Sequence, residues 1–168
     1  MYYSGIKQHD VANGVGVRVS LFVSGCEHAC PGCFNPEAWQ FDFGQPYTYK
    51  VEQRLIDMLR PGHIRGLTLL GGEPLHPRNR ETVLALVERV KRELPEKDIW
   101  CYTGYVFETE LLPDRSLHPL LSRIDVLVDG RFVQARRSFN TAFRGSDNQR
   151  VLLCGESLRA GEAVLAEY

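Results

Sequence analysis

Three of the chain's five cysteines fall within eight residues, in "VSGCEHACPGCFN" (23–35), as Cys26, Cys30 and Cys33. An odd total with a tight cluster fits a disulfide framework poorly, and fits a reducing cytosol and a metal site better. A closed structural zinc site takes four ligands, commonly in two paired motifs. Here the fourth would have to come from His28, Cys101 or Cys154. A conventional iron–sulfur cluster is held by four cysteines, and none follows Cys33 for 60 residues. Three protein ligands leave one position open, as metal sites that do chemistry do. The fourth ligand is then expected to be a substrate or cofactor.

The cysteines follow a strand. Val15, Val17, Val19, Leu21 and Val23 recur at period two, and Asn13-Gly14 before them is a turn signal. Further along, strand and helix patterns alternate. Residues 47–60 carry Val51, Leu55, Met58 and Leu59 at helical spacing, and residues 77–94 repeat Val83, Leu84, Val87, Val90 and Leu94 on one face. Strands are predicted at 66–70, 98–103, 124–130 and 149–154, a short helix at 116–123 and a terminal helix from 156 to 168. Residues 131–148 show no clean period and read as an irregular, functional-looking loop. Strands separated by helices predict βαβ units and a mainly parallel sheet. Every strand runs into a Gly or Cys loop, at Gly25-Cys26, Gly71-Gly72, Gly104 and Gly130. Ligands of parallel α/β folds bind at the carboxyl ends of strands, so the cysteines and "GGEP" (71–74) are expected on one face.

At 168 residues the chain has the length of one domain, 1–168, with enough material for a sizeable core. A complete eightfold barrel takes about 250 residues, so a partial, open one is the most this length supplies. Net charge is −1, from 20 basic and 21 acidic side chains, with no block of like charge, which argues against nucleic acid or an anionic membrane as partner. No apolar run approaches the ~20 residues of a membrane span. "MYYSGIKQHD" lacks the pattern of a secretory signal, and a cytoplasmic location is expected.

The C-x3-C-x2-C motif of Cys26, Cys30 and Cys33, followed by "GGEP" at the end of the next strand, resembles the radical S-adenosylmethionine superfamily. Glycines let backbone carbonyls approach a ligand closely, and Glu73 offers an anionic acceptor to an ammonium. The stretches "NGVGVRVSLFVSGCEHACPGCFNPEAW", "GGEPLHPRN", "WCYTGY" and "DVLVDGRFVQARR…FRGSDNQRV" are similar to successive blocks of the anaerobic ribonucleotide reductase activating proteins, over nearly the whole chain.

That resemblance implies a partial, open (β/α) barrel and a glycyl-radical-generating enzyme. It implies a 4Fe-4S cluster ligated by Cys26, Cys30 and Cys33, with S-adenosylmethionine chelating the open iron. Gly71, Gly72 and Glu73 would receive its amino group. The superfamily usually has an aromatic residue before the third cysteine; here Gly32 stands there and Phe34 follows, so adenine contacts fall to Gly32, Cys33 and Phe34. A reduced flavodoxin or ferredoxin would supply the electron, and the large subunit of the reductase would supply the glycine. No side chain is required as acid or base, because the cofactors carry the hard chemistry. An open side suits a glycine-bearing loop from another protein, and Arg136-Arg137 and residues 144–150 are candidates to contact that partner or the cofactor carboxylate.

Plainer readings stand beside these. The triple is otherwise a zinc site or reduced surface thiols, and Gly71-Gly72 an ordinary turn. His28 reads as a solvent-facing or hydrogen-bonding residue rather than a ligand, and Cys101 and Cys154 as buried apolar thiols. Tyr102 and Tyr105 line a pocket or pack in the core. Asp129 bonds a ribose or simply forms a turn before Gly130. The competing functions are another radical S-adenosylmethionine enzyme, with a different glycyl radical enzyme or a small molecule as substrate, and a small iron–sulfur electron carrier or zinc-stabilised binding module.

Overall fold

The two faces of the strand before the cysteines meet different surroundings. In β2 (Val17–Val23), Val19, Leu21 and Val23 are fully buried in the main apolar core, whereas Arg18 and Ser20 are buried on the opposite face. This alternation continues in the neighbouring strands: Leu67 and Leu69, Ile99 and Cys101, and Leu127 join the same core. It is the geometry of successive side chains pointing to opposite sides of a sheet.

The computed structural model describes residues 1–168. Its seven strands are β1 (Tyr2–Asp10), β2, β3 (Gln45–Pro46), β4 (Ile64–Gly71), β5 (Asp98–Tyr102), β6 (Val126–Asp129) and β7 (Arg150–Leu153). They form one sheet in the order β3-β1-β2-β4-β5-β6-β7, and its edges do not meet. The central four, β2, β4, β5 and β6, are parallel. The outer strands pair antiparallel, β1 with β2 and β3, and β7 with β6. The expected parallel arrangement is therefore that of the sheet's centre, with antiparallel margins on both sides.

Helices α1 (Tyr49–Leu59), α2 (Arg80–Glu93) and α3 (His118–Leu121) cross over between the parallel strands. Leu55, Ile56 and Leu59 of α1 and Val83, Leu86, Val87 and Val90 of α2 are completely buried, as their helical spacing requires. With the outward-facing strand residues they form a core of 27 side chains. The chain contains no helix long and apolar enough to cross a membrane.

Two parts of the sequence reading need correction. β1 was not foreseen, because "YYSGIKQHD" does not alternate and its pairing with β2 is broken by register shifts. The terminal helix α4 covers only Cys154–Ala160. It stops at left-handed Gly161, whose N–H caps the Ser157 carbonyl. The tail then returns beside β7, with Leu153 N–H bonded to Val164 O and Ala166 N–H to Val151 O. Residues 131–148 are irregular as expected, with one 3-10 turn at Gln134–Arg136 and a bridge from Arg137 to Ser146.

The amino ends of the parallel strands are plugged. Arg18 is fully buried there, donating to Thr68 Oγ1 at 2.7 Å and Leu67 O at 2.9 Å, paired with Asp98 at 2.6 Å and lying over the Trp100 ring. The carboxyl ends are open, and there the cavity lies.

Candidate functional site

The loops after β2, β4, β5 and β6 converge on one cavity of about 820 Å³. Cys26, Cys30 and Cys33 line it from the first loop, Gly71, Gly72 and Glu73 from the second, Thr103 and Gly104 from the third, and Gly130 and Phe132 from the fourth. The sequence expectation that cysteines and "GGEP" share a face is met. Phe22, Leu70 and Tyr102 supply the inner wall. This volume is that of an ordinary cofactor site, about 300–1,000 Å³.

The first two loops are tied main chain to main chain. Gly72 N–H donates to Val23 O at 2.7 Å, and Glu73 N–H to Gly25 O at 2.8 Å. Gly72 is pressed so closely here that an added Cβ would lie 2.7 Å from Gly25 O. Asn79 braces the same junction, donating from its amide to Ser24 O and Glu73 O, both at 3.0 Å.

All five cysteines are free. Cys26, Cys30 and Cys33 are partly exposed to the cavity, whereas Cys101 and Cys154 are completely buried in the helix-side core, away from it. Burial pushes the Cys26 thiol up to about 11, against the backbone N–H groups of His28 and Ala29, which face its sulfur. Burial also raises Cys30, opposed by the N–H of Phe132. No three His, Cys, Asp or Glu side chains converge as ligands of one metal ion. Three free thiols spread around one cavity fit a polynuclear cluster, whose irons each take a separate cysteine. The hydroxyl of Tyr102 is buried beside the cavity with no partner, a group that a polar ligand would satisfy.

Gly32 has φ +74°, and a Cβ there would lie 2.8 Å from the Gln134 side chain. Any side chain there would be strained by the left-handed backbone, and Phe34 sits on the cavity rim, 76% exposed. His28 is not solvent-facing: its Nε2 lies 2.8 Å from Glu73 Oε2 and its ring packs edge-on to Tyr105. Asp129 is committed within the chain, accepting from Phe107 N–H at 2.9 Å and from Arg150 Nε at 3.0 Å. Its role as a ribose ligand or a simple turn residue is replaced by that of an anchor for β7. Sequence reading missed Phe132 and the Asn79 amide: both lie in stretches that resemble the family, but nothing in the sequence shows which atoms they present to the site.

Residues 12–152 match the family model described as a 4Fe-4S single cluster domain. The chain is 50% identical over 142 residues to the anaerobic ribonucleoside-triphosphate reductase-activating protein of Haemophilus influenzae, covering 83% of this chain and 90% of that protein. The protein of the same name in Escherichia coli K12 is 45% identical over 144 residues, 84% of this chain and 92% of its own. That of Enterobacteria phage T4 is 44% identical over 151 residues, with 90% and 93% covered.

Proposed function

The chain belongs to the family of anaerobic ribonucleoside-triphosphate reductase-activating proteins, and from that premise we propose that it cleaves S-adenosylmethionine reductively and installs a glycyl radical on such a reductase. The observation that carries this reading is the shared cavity: three free thiols and the Gly71–Glu73 turn face one space large enough for a cluster and a nucleoside. In this reading Cys26, Cys30 and Cys33 hold a 4Fe-4S cluster and leave one iron open. Such a cluster, once bound and reduced, would supply the electron for reductive cleavage of S-adenosylmethionine, with methionine and 5′-deoxyadenosine as products and the hydrogen atom coming from the partner's glycine Cα.

The chain's own residues bind and orient. The nearby backbone N–H groups of His28, Ala29 and Phe132 oppose the effect of burial at Cys26 and Cys30 and so lower the cost of negative sulfur. The backbone of Gly71, Gly72 and Glu73 forms the wall for the methionyl end, and Gly32, Cys33 and Phe34 that for adenine. The plugged strand ends keep the reacting atoms away from water on that side. In this reading the open seven-stranded sheet would serve as the superfamily's partial barrel, and residues 1–168 are read as a single domain built on it. The partner is the reductase large subunit, and the electron comes from a reduced flavodoxin or ferredoxin in the cytoplasm, where free thiols persist. A small electron carrier would leave the cavity and the Gly71–Glu73 turn without a purpose.

The test is anaerobic. The protein is reconstituted with iron and sulfide, reduced and given S-adenosylmethionine, with Cys33→Ser alongside. Wild type is expected to form 5′-deoxyadenosine and methionine and, with the reductase added, a glycyl radical signal, whereas Cys33→Ser forms none. No product from fully loaded, reduced protein, with the reductase present, overturns the proposal.

A further inference from the structure

We infer that the Glu73 carboxylate is a positioning group that clamps the cysteine loop to the end of β5, rather than the acceptor of the cofactor's ammonium. The inference rests on the cluster site proposed above. Glu73 is 1% exposed. Its Oε1 accepts from Leu75 N–H at 3.0 Å and Thr103 Oγ1 at 2.9 Å. Its Oε2 accepts from Gly104 N–H at 2.8 Å and His28 Nε2 at 2.8 Å. An ionised carboxylate has about four lone-pair positions, and all four are taken by donors from three separate segments of the chain. An incoming ammonium would have to displace one of them, and the donor lost would be an otherwise well-placed buried group.

The surroundings are built for this clamp. Gly104 leaves room for the imidazole: a Cβ there would lie 2.3 Å from His28 Cδ2. The His28 side chain is 8% exposed and stands between two of the three cysteines in sequence. One carboxylate thus links three motifs, "CEHAC", "GGEP" and "YTGY", and explains His28, Thr103 and Gly104 together. The cofactor's ammonium is left to backbone groups of the Gly71–Glu73 wall.

The experiment compares wild type with His28→Ala, His28→Gln, Glu73→Gln and the His28→Ala/Glu73→Gln double variant. Three quantities are measured: the rate of iron loss to a chelator from reconstituted protein, S-adenosylmethionine affinity by direct binding, and hydrogen exchange of the metal-free protein. His28→Ala and Glu73→Gln are each expected to speed iron loss roughly tenfold or more, as loss of a group supporting a metal ligand does. The double variant should be no worse than the poorer single one, since both remove the same link. His28→Gln, which keeps an N–H donor, should restore most of the retention. Affinity for S-adenosylmethionine in the loaded fraction should stay within about twofold. In metal-free Glu73→Gln, the Gly104 amide should exchange about tenfold faster. Glu73→Gln with wild-type iron retention and tenfold weaker binding would make the carboxylate the ammonium acceptor and end the clamp. Wild-type retention in His28→Ala would also refute it. Failure of wild type itself to take up a cluster would count against the proposed function, while the exchange of Gly104 in metal-free protein would still decide the clamp.

Discussion

Asp10 shows how single side chains hold the cavity's floor. Its carboxylate is buried and accepts from Ser20 Oγ and Asn13 Nδ2, each at 2.6 Å, and from Ala12 N–H and Lys7 Nζ, each at 3.0 Å. Burial alone would raise its pKa, but these donors together bring it from 3.8 down to about 2. A carboxylate depressed in the folded state stabilises above its unfolded pKa, and that stability is lost as pH falls through the folded value. Asp10 therefore contributes about 2 kcal/mol at neutral pH, declining between pH 3.8 and about 2. Asp10→Asn should lower stability by about that amount at pH 7 and should flatten the acid loss, as read by urea unfolding of metal-free protein across pH 2–7. Parallel pH profiles for the two proteins would remove Asp10 from the account. None of this was legible in the sequence, where Asp10 is one acid among 21. The cysteine triple and "GGEP" were legible because their chemistry is local in sequence. The partners of Glu73 were not, since His28 and Thr103 lie 45 and 30 residues away and no periodicity encodes a hydrogen bond across strands.

At the scale of elements, α2 begins with a conflict between helix and site. Asn79 stands at its N-cap, a residue type favoured there because its side chain satisfies the first free N–H groups. The side chain makes no such bond. It is turned to donate to Ser24 O and Glu73 O instead, joining α2 to the loops that carry the site. Aspartate caps a helix as well as asparagine does, so a helix argument alone predicts Asn79→Asp to be neutral. The structure predicts the opposite. A carboxylate would face two carbonyl oxygens in a buried position, and the cost of about 1–3 kcal/mol for unmet buried groups should apply. Asn79→Asp is therefore expected to melt lower than Asn79→Ala, in circular dichroism scans of metal-free protein. Elements themselves were largely legible: α1, α2 and the central strands follow apolar periodicities imposed by one shared core. β1 and the extended tail were not, because their conformation is set by pairing at the sheet's margins rather than by their own pattern.

At the scale of the whole molecule, the sheet leaves its cavity open at the carboxyl ends, and the rim is unusual for a free surface. Phe34 and Phe139 stand 76% and 86% exposed there. Residues 131–150 hold five arginines and one acid, in a chain of net charge −1. Arg131, Arg136 and Arg150 pair with Glu110, Asp147 and Glu108, respectively. Arg137 instead lies over the Phe139 ring at 4.9 Å. Exposed aromatics beside arginines are the composition of interface hot spots, and this rim borders the cavity that a second protein's glycine Cα would have to enter to reach the proposed cluster. Phe139 is the more exposed of the two phenylalanines, so its truncation should cost association and not the cleavage step itself. Phe139→Ala is expected to raise the KM for the reductase about tenfold, the ~1.4 kcal/mol typical of losing one anchor. Iron content and the slow formation of 5′-deoxyadenosine without partner should remain at wild-type levels. Glycyl radical yield measured against reductase concentration gives the answer. An unchanged KM would mean that the partner approaches by another face, and an equal loss of partner-free cleavage would mean that Phe139 belongs to the cofactor's pocket rather than to its entrance.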